Sequence, residues 1–141
     1  MRAPSLRNQR ARSSAASTLF LLLVLLVIPA LALMRLAPAI DWRILVAVPV
    51  ALSFFTWLAY WHDKRRAEAG GWRVPEVTLH FCELVGGWPG AFWARRQFRH
   101  KTGKVSYQIV FWVIVLLHEF VALDFLLGWK ITRHLLHLFK T

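Results

Sequence analysis

Residues 44–66 read ILVAVPVALSFFTWLAYWHDKRR, an uncharged run from Ile44 to Trp61 closed by His62, Asp63, Lys64, Arg65 and Arg66. At 1.5 Å per residue, a helix of this length crosses most of a hydrocarbon core roughly 30 Å thick. Trp42 before the run and Tyr60 and Trp61 at its end place amphipathic rings where the two headgroup layers would lie. The cations that follow suit both the negative end of the helix dipole and anionic lipid, and they read as a transfer stop. One such segment sets the solvent for the whole chain, so the expected fold is all-α and integral to a membrane.

Working outward toward the N-terminus, Ser13 to Met34 is again uncharged and follows Arg2, Arg7, Arg10 and Arg12. Residues 1–17 therefore read as a basic tail and 18–36 as a transmembrane helix or signal anchor. A cleaved signal peptide is the alternative, since Ala30-Leu31-Ala32 makes an A-x-A pattern. The uncleaved anchor is preferred because the apolar run continues to Leu36, and Pro29 merely kinks such a span. Toward the C-terminus, Val105 to about Gly128 forms a third span that carries His118, Glu119 and Asp124. Asp124 lies near an end, within reach of water. Glu119 lies deeper and needs a proton, a partner such as His118, or a polar crevice. Residues 129–141 read as a basic amphipathic tail with Ile131, Leu135 and Leu138 at helical spacing.

Composition agrees with this reading. The 141 residues are 57% hydrophobic, with a mean hydropathy of +0.46. So much apolar surface, gathered into long runs, excludes a free-standing soluble enzyme. Eighteen Lys and Arg against seven Asp and Glu leave a net charge of +11, which points to polyanionic surroundings, either phosphate headgroups or nucleic acid. The single cysteine, Cys82, excludes an internal disulfide and a multi-thiolate metal site.

Half of the cations fall between the second and third spans: Lys64, Arg65, Arg66, Arg73, Arg95, Arg96, Arg99, Lys101 and Lys104. The positive-inside rule places this segment and the N-terminus in the cytoplasm. Letting Val77 to Ala94 cross as an extra span would strand Arg95, Arg96, Arg99, Lys101 and Lys104 outside. Pro75 to Phe98 is therefore expected to be a cytoplasmic or re-entrant helical hairpin between the last two of three transmembrane helices. It should break at Gly86-Gly87-Trp88-Pro89-Gly90, with Pro75 starting a helix, Gly86 capping it and Pro89 turning into the next.

Residues able to carry chemistry are few. Glu76, His80 and Glu83 stand at i, i+4 and i+7 and would share a helix face, an arrangement found in carboxylate-bridged metal sites. Those sites draw ligands from several helices, and the remaining His, Asp and Glu have no such spacing, so neither a metal nor a cofactor is expected. Cys82 faces away from His80 and reads as a small apolar group. The glycines follow no strand and precede no GKS or GKT, so they read as a turn and close packing. The run from Arg95 to Lys104 mixes cations with an aromatic. It is read with Arg65 and Arg66 as lipid or phosphate contact, through Arg65, Arg66, Arg95, Arg96 and Lys104. Nucleic acid and a protein partner are the less favoured occupants.

Four blocks then stand in order: Tyr60-x-x-Asp63-Lys64-x-x-Ala67; Trp72-Arg73-Val74-Pro75-Glu76-x-x-Leu79-His80; Gly86-Gly87-Trp88-Pro89-Gly90-Ala91; and Phe98-Arg99-His100-Lys101-Thr102-x-Lys104-x-Ser106-Tyr107. Over roughly residues 42–127 the chain thereby resembles the small bacterial membrane domain of unknown function 1294. The resemblance implies a compact multi-helix domain of the bacterial inner membrane, and no established activity comes with it. Some members of that family carry a nucleic-acid-binding cold-shock barrel, but this chain has no Lys-Gly-Phe-Gly-Phe pattern near its N-terminus. Asp63, Lys64, Arg73, Glu76, Arg99, His100 and Lys101 fall within the matching blocks and are the candidate functional residues. Glu83 and Arg95 stand where less charged residues are expected, and are left out as shared catalytic groups. The expected role is a structural or interaction module with a cationic loop facing anionic lipid. One alternative is a membrane-embedded enzyme on a lipid or phosphorylated substrate, with Arg73, Arg99 and Lys101 holding phosphate and His100 or Glu76 moving a proton. The other is a nucleic-acid-associated membrane protein. Arg73 and Glu76, which bracket Pro75, are expected to pair.

Overall fold

The computed structural model describes residues 6–72, 74–98 and 104–139, with side chains from residue 15 onward. The described chain is helical throughout. Helix α1 covers Leu6–Leu36, α2 Trp42–Glu68, α3 Glu76–Cys82, α4 Trp88–Phe98, α5 Val105–Leu126 and α6 Lys130–Leu138, with a single π turn, Glu83–Gly87, joining α3 to α4. Three of these helices, over Ala15–Leu36, Trp42–Glu68 and Val105–Leu126, are long and apolar enough to cross a membrane. Their outward faces expose Phe20, Met34, Phe55, Val113 and Leu116, surface that only lipid would solvate favourably. This is the architecture of a multi-pass membrane protein. Helix α1 begins at Leu6, twelve residues before the expected start at 18, because nothing in Leu6–Ser17 breaks a helix.

Helices α1 and α5 run side by side in one direction, and α2 runs against both. Arg35, at the end of α1, donates to the carbonyls of Phe125 (3.0 Å) and Leu126, the last turn of α5. Such a cation satisfies carbonyls that a helix C-terminus leaves without intrahelical partners. At the opposite end of the bundle, Arg96 of α4 donates to Thr18 of α1 at 3.1 Å.

Between α2 and α5 the chain makes the expected hairpin, and it turns back rather than crossing. The break is narrower than the Gly86–Gly90 stretch anticipated. Helical geometry is lost only at Gly86, whose φ of 117° suits glycine, and Pro89 is accommodated in the first turn of α4. The hairpin lies along α2. Val74 contacts Asp63, Glu83 contacts Tyr60, and Gly86 approaches Leu52. Eleven residues of α2 separate Asp63 from Leu52, about 16 Å of helix, or roughly half of a hydrocarbon core.

Close approach of backbones makes that packing possible. A Cβ on Gly90 would lie 1.8 Å from the Ser53 carbonyl oxygen, and one on Gly87 1.9 Å from Thr56 Oγ1. Helices surrounded by lipid gain little from the hydrophobic effect on associating. Small residues that let main chains touch, and hydrogen bonds between helices, take over that role.

At the far end α5 gives way to α6 through Gly128 and Trp129. Asp124, expected within reach of water, is instead fully buried as the cap of α6: its carboxylate accepts from the Ile131 and Thr132 amides at 2.9 and 3.1 Å and from the Thr132 hydroxyl at 2.5 Å. His118 is not a partner of Glu119, since its Nδ1 donates to the Ile114 carbonyl one turn back, at 2.8 Å.

Candidate functional site: a buried cluster of tyrosine, glutamate and histidine

The chain contains two tyrosines, and both point at one carboxylate. Tyr60, in the last third of α2, donates its hydroxyl to Glu83 Oε1, while Tyr107, in the first turn of α5, lies 3.3 Å from the same oxygen. The two hydroxyls are 2.5 Å apart. Two hydroxyl protons serve three oxygen contacts, so Tyr107 donates to Tyr60, Tyr60 donates to Glu83, and the longest contact is the residual one. The second carboxylate oxygen, Oε2, meets His80 Nδ1 at 2.7 Å, and the imidazole stacks on the Tyr107 ring with centroids 4.1 Å apart.

Each position follows from local structure. His80 and Glu83 are three residues apart where α3 passes into the π turn, so they share a face. That face is aimed between α2 and α5, and each of these helices contributes a tyrosine near its end on the hairpin side. Glu83, Tyr60 and Tyr107 are 0 to 1% exposed, with Leu79, Phe111 and Val115 closing around them. A carboxyl group withdrawn this far from water is tolerated because both of its oxygens are hydrogen-bonded. Next to it, burial first and the Glu83 carboxylate second push the Cys82 thiol above its usual range. That direction is in keeping with its reading as a small apolar group.

The candidate residues from sequence distribute differently. Asp63 is fully buried and accepts from the Val74 amide at 2.8 Å, which pins the start of the hairpin to α2. Lys64 lies over the Phe98 ring at 5.6 Å and faces Glu68 at 3.6 Å. Glu76 pairs with Lys104 at 2.7 Å. These three surround the mouth of the hairpin without converging on one point. Arg73, Arg99, His100 and Lys101 lie outside the described residues, and the expected pairing of Arg73 with Glu76 falls there with them. Among the proposed phosphate contacts, Arg65 and Arg66 are exposed, with Arg65 over the Trp61 ring at 4.6 Å. Arg96 is exposed too, whereas Arg95 is drawn inward to 7% exposure, over the rings of Phe111 at 4.2 Å and Tyr107 at 5.6 Å.

Of the Glu76, His80 and Glu83 trio, the structure joins only His80 and Glu83, and among the described residues no three His, Cys, Asp or Glu side chains gather as metal ligands would. Glu83, set aside in the sequence as a shared functional group, is the hub of the cluster. The signal that could have found it is the pair of tyrosines. They open the first sequence block and close the last, each a lone phenol at the end of an apolar run.

No curated protein and no solved structure matches the chain. The hub, both tyrosines, His80 and the whole hairpin nevertheless fall within residues 53–107, and it is this segment that matches the family described as Protein of unknown function (DUF1294), the family its four sequence blocks resemble.

Proposed function

We propose that the protein is a structural or interaction module of the bacterial inner membrane, with its N-terminus cytoplasmic, whose hairpin end engages anionic lipid. The observation that supports this is the gathering of Lys64, Arg65, Arg66, Arg96 and Lys104, from the ends of three different helices, at the one end of the bundle where the hairpin begins and finishes. Aromatic rings accompany them: Trp61 under Arg65, Phe98 under Lys64 and Phe92 under Arg96. At the other end, Arg35 and Arg133 are turned onto helix-terminal carbonyls of this same chain. A cation near an anionic surface contributes about 1 kcal/mol, so such a rim is a substantial lipid contact.

The test is thermal stability in lipid discs of phosphatidylglycerol against phosphatidylcholine. The anionic discs are expected to stabilise the protein, and the gain should shrink as salt shortens the Debye length from about 10 Å at 0.1 M to about 3 Å at 1 M. Replacing Lys64, Arg65 and Arg66 together with Gln should remove most of it. Equal stability in both lipids would overturn the reading.

A further inference from the structure

A small pocket opens between α4 and α5, lined by Phe92, Arg95, Arg96, Gln108, Phe111 and Trp112, with a volume of about 110 Å³. We propose that it is a binding site for a single phosphate group, held by the guanidinium groups of Arg95 and Arg96 beside the Gln108 side chain. Assigning that phosphate to a lipid headgroup rests on the anionic-lipid reading above. The phosphate chemistry itself does not.

Arg95 carries the inference. It is 7% exposed, and its buried Nε finds no hydrogen-bond partner. Among the described residues no carboxylate pairs with it. Its compensation within the chain is the π face of Phe111, 4.2 Å from the guanidinium carbon, with Tyr107 farther off. A ring quadrupole offsets part of the loss of hydration, but it accepts no in-plane N–H bond. Burying a guanidinium is tolerated when an anion meets its donors. Arg95 and a second arginine, Arg96, both line the pocket, and of the Arg96 donors Nη1 is engaged by Thr18 at 3.1 Å.

Size and depth narrow the occupant. At about 110 Å³ the pocket has room for one tetrahedral oxyanion. Arginine forks match phosphate oxygens bidentately, which lysine does not. Gln108 and Trp112 lie in the first two turns of α5, within about 11 Å of its start. That is headgroup depth for a span beginning at the cationic end, and Trp112 is 37% exposed there, as interfacial indoles are. The two sources of such a phosphate are an anionic phospholipid and free inorganic phosphate.

The experiment uses the full chain in an uncharged sugar detergent, read by native mass spectrometry after incubation either with phosphatidylglycerol or with inorganic phosphate alone. Wild type is expected to retain one phosphate-bearing species per chain, a lipid in the first arm if the headgroup is the source, an ion in the second if free phosphate is. Arg96→Gln and Arg95→Lys should each lower that occupancy about tenfold, the latter with no change of charge. The Lys64, Arg65 and Arg66 triple Gln variant should retain the species while losing its preference for anionic discs, so the pocket and the part of the rim at the end of α2 can fail separately. If Arg95→Lys does not fold, Arg96→Gln at its exposed position decides. Failure of wild type to retain either species, or wild-type occupancy in Arg96→Gln, would overturn the proposal.

Discussion

The half of the bundle that holds the hairpin and the half beneath its tip are built from the same three spans, yet they are held together differently. Around Glu83, four polar side chains from α2, the hairpin and α5 meet in a closed hydrogen-bonded group, and Gly87 and Gly90 bring main chains into contact with α2. Beneath Gly86 the same helices border an open apolar cleft of about 710 Å³, lined by Pro29 and Leu33 of α1, Pro49 and Leu52 of α2, and Val121 and Ala122 of α5. The difference teaches that the hairpin is the wedge: where it reaches, α2 is pinned to the rest of the bundle, and where it stops α2 stands off from the α1–α5 pair, which Arg35 still joins. Surrounding lipid offers no hydrophobic gain for closing the gap.

Breaking the polar half should have the largest effect. Glu83→Ala leaves the Tyr60 hydroxyl and the His80 imidazole without their partner in a buried place, and a loss on the order of 3 kcal/mol is expected. Tyr60→Phe should cost nearer 1 kcal/mol. A detergent unfolding series on both single variants and the double one checks this. The double variant should lose less than the sum, because both changes act on one network, and strict additivity would contradict the network. Gly90→Ala comes next, at about 2 kcal/mol, since its Cβ would meet the Ser53 main chain rather than a yielding side chain. Hydrogen exchange should show that the loss is concentrated in residues 76–98.

The other half should respond in the opposite sense. Ala122→Leu adds bulk to the cleft wall, and an apparent stabilisation of about 1 kcal/mol or less in the same unfolding assay is expected. A loss of the size produced by overpacking would show that the spans already meet there. The smallest effect on the bundle should come from Asp124→Ala. Losing an N-cap costs about 1 kcal/mol, and it should appear as faster hydrogen exchange in residues 130–138 with the hairpin unaffected.

How much of this could be read in advance follows from what each feature depends on. Uncharged runs of span length, their aromatic ends and the basic cluster at Lys64 to Arg66 are local, so the three spans were legible. So was the hairpin, because Pro75 and Gly86 signal a helix start and stop by their own backbone geometry. Glu83 was not. Its spacing from His80 is visible, but its two phenols come from 23 residues before and 24 after, and only the fold brings them together. Read alone, a carboxylate beside apolar neighbours looks out of place. Asp124 was misjudged for a related reason: it lies near the end of a span, but the chain folds α6 back onto it. The cleft is invisible in sequence because its walls come from every span and it is defined by where the hairpin ends.

The central claim, that the hairpin dips beside α2 and returns, is tested most directly by the depth of spin labels placed one at a time at Trp72, Val77, Phe81 and Val85. All four positions are exposed, and the labels would be carried on the Cys82→Ser chain in lipid discs. Paramagnetic accessibility is expected to change steadily from a water-exposed label at Trp72 to one roughly 16 Å deeper at Val85. A label at Val85 as shallow as the one at Trp72, or one that emerges into water on the far face, would contradict the account.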